Sequence, residues 1–295
     1  MKCSCLAVVL CFVFTSSPLF AQPNVGTAAL TFTTIDVPGA GFTDIWGINV
    51  AGDVVGNYGT NSSDPHKRGF LYRNSTFTTV GYPGAYSSSA EGINDSGMIV
   101  GYSEFSGGSS AFGFAYDGST YTPIKDGSNS STVVDGINNA GVIVGGTGTI
   151  FSARAFELVG GQFKLVRFPG PNVEAFATGV NNLGVVVGWT GPPYQAYIYK
   201  GGTFRNIDFP GATNTIAWGI NDRGVVVGWF FGAGGNCNNC AFAWKQGKYL
   251  IFSYPGAIAT SAAGINFSGQ IVGSYELPDF TCHGFVTSPI SQLEF

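Results

Sequence analysis

Groups able to do chemistry are scarce in this 295-residue chain, which holds two histidines, six cysteines and 17 acidic side chains. Cys237-Asn-Asn-Cys240, followed far downstream by Cys282-His283, has usable zinc spacing: two close thiols plus a distant Cys-His pair. The same residues also fit an oxidised cysteine pair stapling a glycine-rich loop, which an oxidising compartment favours. No metal or other cofactor is therefore expected. His66 lies in Ser-Asp-Pro-His-Lys-Arg, a solvated loop. Hydrolysis by a His-dependent triad needs His beside a nucleophile and a carboxylate, which two loop histidines do not supply.

Two further groups could act on a ligand. Glu91 and Asp135 occupy matching positions of neighbouring repeats, and a carboxylate pair is what glycoside hydrolysis uses; Glu104 is a further carboxylate on a loop. Trp46, Trp189, Tyr194, Trp218, Trp229 and Phe230 form an aromatic set suited to stacking on sugar rings or apolar peptide, or else to filling space between sheets.

The elements that must position these residues repeat. Gly-Ile-Asn or a close variant recurs at Gly47, Gly92, Gly136, Gly179, Gly219 and Gly264, in steps of 45, 44, 43, 40 and 45 residues. Nine residues after each comes a second glycine, at Gly56, Gly101, Gly145, Gly188, Gly228 and Gly273, preceded by two apolar residues such as Val54-Val55. Pro-Gly lies upstream in five copies, and Asp126-Gly127 replaces it in the third.

Each copy reads as four short strands. An Asn-x-x-Gly turn, as in Asn49–Gly52, joins two of them: Asn caps the turn and Gly takes the positive-φ position. An alternating Phe-x-Tyr-like strand, such as Gly69–Tyr72, closes the copy. Every glycine recurrence thus has a strand-turn explanation, and none requires a phosphate cradle. Four strands per 40–45 residues is the arithmetic of a β-propeller blade.

The expected fold is all-β, a six-bladed propeller of four-stranded antiparallel blades over residues 30–288. The pattern begins and ends one strand out of phase, so the N-terminal strand Phe32–Val37 is expected beside Phe285–Thr287, closing the last blade. Trp46, Glu91, Asp135 and Trp218 then fall on strands lining a central channel. The Pro-Gly-Ala connections and the loops of variable length share one face, where binding is expected.

Ahead of the repeats, Lys2, the apolar run Cys5–Phe14 and Leu19-Phe20-Ala21 read as a signal peptide over residues 1–21. Residues 22–29 would be a linker and 289–295 a tail. Ten apolar residues are too few to span a bilayer, and no later run is longer, so no membrane span is expected. Gly and Pro make 59 of 295 residues, or 20%, while hydrophobic residues make 44% and charged ones only 10%. That balance supplies a core and argues against disorder. A net charge of −4 gives no basic footprint for nucleic acid.

The pattern Gly-Ile-Asn-x-x-Gly-x-Val-Val-Gly, then Phe-x-Tyr, then Phe-x-x-Ile-Asp-x-Pro-Gly-Ala, resembles the probable extracellular HAF repeats of bacteria. The resemblance covers nearly the whole chain after residue 21. It departs at the naming His-Ala-Phe triplet, where the copies read Arg68-Gly-Phe70, Phe112-Gly-Phe114, Arg154-Ala-Phe156, Gln195-Ala-Tyr197, Cys240-Ala-Phe242 and His283-Gly-Phe285. The family implies export and repetition, and brings no catalytic residues. Together these readings predict a secreted or periplasmic, monomeric binding or interaction module for a carbohydrate or protein ligand. The alternatives are a carbohydrate-active enzyme using the channel carboxylates, or a purely structural surface protein.

Overall fold

The computed structural model describes residues 25–27, 29–61, 63–105, 111–127, 131–148, 153–169, 173–233 and 239–290. The signal-peptide segment lies outside the described residues, as does Cys237. Two strands, β1 (Val25–Thr27) and β2 (Phe32–Ile35), precede the first copy, which holds β3 (Phe42–Ile48), β4 (Val54–Gly59), β5 (Arg68–Arg73) and β6 (Thr76–Val80). The second holds β7 (Ser87–Ile93), β8 (Ile99–Glu104), β9 (Ala111–Tyr116) and β10 (Tyr121–Ile124). The third holds β11 (Ser131–Ile137), β12 (Ile143–Gly148), β13 (Arg154–Val159) and β14 (Gln162–Leu165). The fourth holds β15 (Ala175–Val180), β16 (Val186–Thr190), β17 (Gln195–Lys200) and β18 (Thr203–Asn206). The fifth holds β19 (Asn214–Ile220), β20 (Val226–Phe231), β21 (Asn239–Lys245) and β22 (Lys248–Phe252). The last holds β23 (Ala259–Ile265), β24 (Ile271–Glu276) and β25 (Cys282–Thr287).

Each copy forms an antiparallel meander, as its turn chemistry dictates. The Asn-x-x-Gly turns close with an N–H of Gly donating to the carbonyl of Asn, for example Gly52 to Asn49 at 3.1 Å, with φ of +83° at Gly52. The second glycine of each copy meets a different demand. Beside it the inner strand bulges, as between Ile45 and Gly47, and a Cβ at Gly56 would collide with the carbonyl of Asp44. The same collision recurs at Gly101, Gly145, Gly188, Gly228 and Gly273.

The sheets differ from six separate blades in two respects. β25 and β3 share one parallel bridge, Cys282 to Phe42, which joins the last and first copies into an eight-stranded sheet. β1, inside the expected linker, pairs parallel to β22 and makes a five-stranded sheet. Three four-stranded sheets complete the set, and the five sheets do not close into one hydrogen-bonded surface. β2 does pair antiparallel with β25, with Phe32 opposite Thr287 and Ile35 opposite Gly284.

The core lies between successive copies rather than at one centre. Val54-Val55, Val186-Val187 and Val226-Val227 are buried in side-by-side layers, each pair feeding two different clusters. The third position of the naming triplet fills these gaps: Phe70, Phe114, Phe156, Phe242 and Phe285 are wholly buried, and Tyr197 nearly so. Burying one such ring stabilises the fold by about 1.5–3 kcal/mol.

At one end of the inner strands, side chains link the copies. The Nδ2 of Asn49 donates to the carbonyl of Asn94, and the same step runs from Asn94 to Asn138, Asn181, Asn221, Asn266 and back to Asn49, at 3.0–3.4 Å. The Oδ1 of each asparagine accepts from the N–H four residues on, so cap and link are the same residue.

Candidate ligand-binding cavity

Toward the other end of the inner strands lies a cavity of about 250 Å3. Three tiers of equivalent positions build it. The residue before each Gly-Ile-Asn glycine supplies Trp46, Glu91, Asp135, Thr178 and Trp218. Two residues upstream on the same strands lie Asp44, Val133, Phe176 and Ser261. The residue after the second glycine supplies Asn57, Tyr102, Trp189, Trp229 and Ser274. The third copy has Gly146 at this last position, and a Cβ there would strike the ring of Phe176.

The tiers divide by chemistry. Asp44, Glu91 and Asp135 come from the first three copies, and Lys67 is the one cation among the described lining residues. Copies four and five contribute Phe176 and Trp189, stacked at 4.7 Å, together with Trp218 and Trp229. Trp46 and Trp218 stack at 5.1 Å. The intervening sixth copy carries only Ala263 at the equivalent position, and Ala263 is small enough to leave room for that pair.

Burial governs the acids. It pushes the Glu91 carboxyl up to about 7, against the hydrogen bond from Ser89 and the charge of Lys67. Burial, then the neighbouring Glu91, raises Asp135 well above the usual carboxylate range. Asp44 is raised by burial too, despite Lys67 and Ser274. With Glu91 near 7, this wall shares a proton at neutral pH that an exposed carboxyl would have lost.

Six buried side-chain polar atoms have no hydrogen-bond partner among the described residues, and all six belong to this cavity. They are Asp44 Oδ2, Asn57 Oδ1, Asp135 Oδ2 and the indole N–H groups of Trp46, Trp189 and Trp218. Unpaired buried polar groups are costly, about 1–3 kcal/mol each, and native folds keep few of them. Their concentration at one place makes this cavity the candidate site.

The cavity gathers Trp46, Trp189, Trp218, Trp229, Glu91 and Asp135, which the sequence placed in two separate groups. Phe230 is a correction: strand alternation turns it to the opposite side from Trp229, where it is buried against Phe209 at 3.8 Å, with the rings parallel to within 2°. Tyr194 stands outside, edge-on behind Trp189 at 5.0 Å. Glu104 lies exposed at the end of β8.

The candidate zinc ligands among the described residues are held elsewhere. Cys240 and Cys282 are both in disulfides, and an oxidised sulfur offers no thiolate to a metal. His283 sits in β25 rather than a loop, its Nδ1 2.7 Å from Asp36 Oδ2. His66 is exposed against Tyr86. Among the described residues no group of three His, Cys, Asp or Glu side chains is placed to hold a metal ion. No helix is long and apolar enough to cross a membrane.

Sequence reasoning missed Asp44, Asn57, Lys67 and Tyr102. Asn57 and Tyr102 carried a usable signal, since both follow a second glycine exactly where Trp189 and Trp229 do.

Repeated four-stranded meanders around a central cavity define a β-propeller, and solved structures agree. The chain is similar to a catalytically inactive variant of virginiamycin B lyase from Staphylococcus aureus, solved with quinupristin, at 10% identity and TM-score 0.51, over 88% of this chain and 99% of that one. It is also similar to a candidate gluconolactonase at 10% identity and TM-score 0.53, over 90% and 94%. At this identity the likeness shows the fold alone. No protein-family profile and no curated protein matches the chain.

Proposed function

We propose that the protein is an exported, six-bladed repeat propeller of the HAF-repeat kind that binds the end of a carbohydrate chain in its central cavity. The carrying observation is the set of six unpartnered buried polar atoms around stacked tryptophans. Indole faces suit the C–H faces of a sugar ring, while orphan donors and acceptors suit its hydroxyls. About 250 Å3 is smaller than the roughly 300–1,000 Å3 of pockets enclosing drug-sized ligands, so one ring would enter. Six blades are supported by the asparagine circuit returning to Asn49, and by β2 completing the sheet of β23–β25.

The test is titration calorimetry against neutral, acidic and basic oligosaccharides. Binding by any one class, weakened at least tenfold by Trp218→Ala, supports the reading; no binding across the panel overturns it. Sequencing the N-terminus of secreted protein tests export, with Gln22 as the expected first residue.

A second reading rests on Glu91 and Asp135 sharing this cavity. A buried Glu titrating near 7 is poised as a general acid for a glycosidic oxygen. Glu91→Gln would then abolish turnover while leaving sugar affinity in place.

A further inference from the structure

We infer that the ring entering the cavity carries a protonated amine, so that the ligand is an amino-sugar oligomer rather than a neutral or acidic one. This rests on the carbohydrate reading above and specifies it. The first argument is charge. Asp44, Glu91 and Asp135 line one wall from three successive inner strands, and among the described residues Lys67 is the single cation lining the cavity with them. Phosphate or a uronic acid would meet three acids. A cation would let them ionise.

The second argument is hydrogen-bond arithmetic. Three of the orphan atoms, Asp44 Oδ2, Asn57 Oδ1 and Asp135 Oδ2, are acceptors on side chains more than nine-tenths buried. An ammonium brings donors and no acceptor, which is the chemistry these acceptors lack. The other three orphans are the indole N–H groups of Trp46, Trp189 and Trp218, which need acceptors that an ammonium lacks and sugar hydroxyl oxygens have. A simple quaternary amine would satisfy neither set. A polyhydroxylated ring with an amino group satisfies both, and sets its charge beside the acids. The tryptophan faces add attraction for the cation.

Binding of this kind releases protons. The titratable groups facing the site are Asp44 on β3, Glu91 on β7, Tyr102 on β8, Asp135 on β11 and Lys67 just before β5. Burial raises all three carboxyls, Glu91 to about 7, and a bound ammonium, which favours their ionised forms, drives protons off this wall.

The experiment is calorimetry on the full secreted chain with three β-1,4-linked tetramers of equal length, built from glucosamine, N-acetylglucosamine and glucose, at a pH near 6 in two buffers of different ionisation enthalpy. The expected result is at least tenfold tighter binding of the glucosamine tetramer, with net proton release. Asp135→Asn should remove that preference. Equal affinity for the acetylated or glucose tetramer overturns this inference and leaves the carbohydrate reading standing. Silence from all three, together with silence across the wider sugar panel, overturns both. Should Asp135→Asn fail to fold, Glu91→Gln and the contrast between ligands on the unaltered protein decide the question.

Discussion

The two ends of the inner strands use the same repeated backbone to opposite effect. At the asparagine end, each side-chain amide both caps its own turn and bonds the next copy, and the circuit leaves no partner wanting. Acids there are matched too: hydrogen bonds from Arg73 and Asn49 outweigh burial and hold Asp53 below the usual carboxylate range, and Asp95 and Asp222 accept from neighbouring copies. At the cavity end the copies differ residue by residue, six polar atoms stand unpaired, and burial raises every lining carboxyl. Uniformity belongs to the end that holds the copies together. Variation, with its cost in stability, is confined to the end that would meet a ligand.

The sharpest test of that division lies between two adjacent residues. Phe230→Ala should cost about 3–5 kcal/mol, because it empties a stacked site between copies. Trp229→Ala, one residue away and facing the cavity, should cost far less in chemical denaturation. Similar losses at both would erase the distinction between core and cavity on that strand.

Next in size is a pH effect. The carboxyl of Glu91 is raised from 4.5 to about 7. A raised acid contributes stability that is fully present below its unfolded value and is lost as pH rises through the folded one. From Glu91 alone the protein should therefore lose roughly 3 kcal/mol between about pH 4.5 and 7. Asp135 acts in the same direction. Urea titrations at several pH values should show this slope in the native sequence and a shallower one in Glu91→Gln; equal slopes would mean the wall is better hydrated than its burial implies.

At the other end, Asn181→Ala removes the bond to Asn221 and two turn caps, and should cost about 2 kcal/mol independently of pH. Smallest of all, Trp218→Ala should change stability by less than about 1 kcal/mol. Its effect should register in ligand affinity instead, and a large loss of stability would show that the Trp46–Trp218 stack is structural.

Much of this organisation was legible because repetition turns single residues into positions. Six copies of the Asn-x-x-Gly turn announce six hairpins, and the phase of the first and last strands announces that β2 pairs with β25. The position before the Gly-Ile-Asn glycine pointed to the cavity through Trp46, Glu91, Asp135 and Trp218. Legibility stopped where alternation was not followed through. Phe230 was grouped with Trp229 by proximity in sequence, although successive side chains on a strand face opposite ways. Asp44 was missed because its position carries no shared residue type: the other copies hold Ser89, Val133, Phe176, Ile216 and Ser261 there. The single bridge from Cys282 to Phe42, and the docking of β1 on β22, depend on where distant segments come to rest. No local pattern encodes them.

The pairing of β2 with β25 also sets an order of events. Asp36 accepts from the main chain of Gly284 across 248 residues of sequence. Closing so long a loop adds little to the equilibrium cost, because loop entropy grows only with the logarithm of length. It weighs on the rate instead: a contact between the two ends of the chain can form only after the intervening copies have stacked. Pulled from its N-terminus, the molecule should part first at this seam, releasing β1 and β2 while the asparagine circuit still holds.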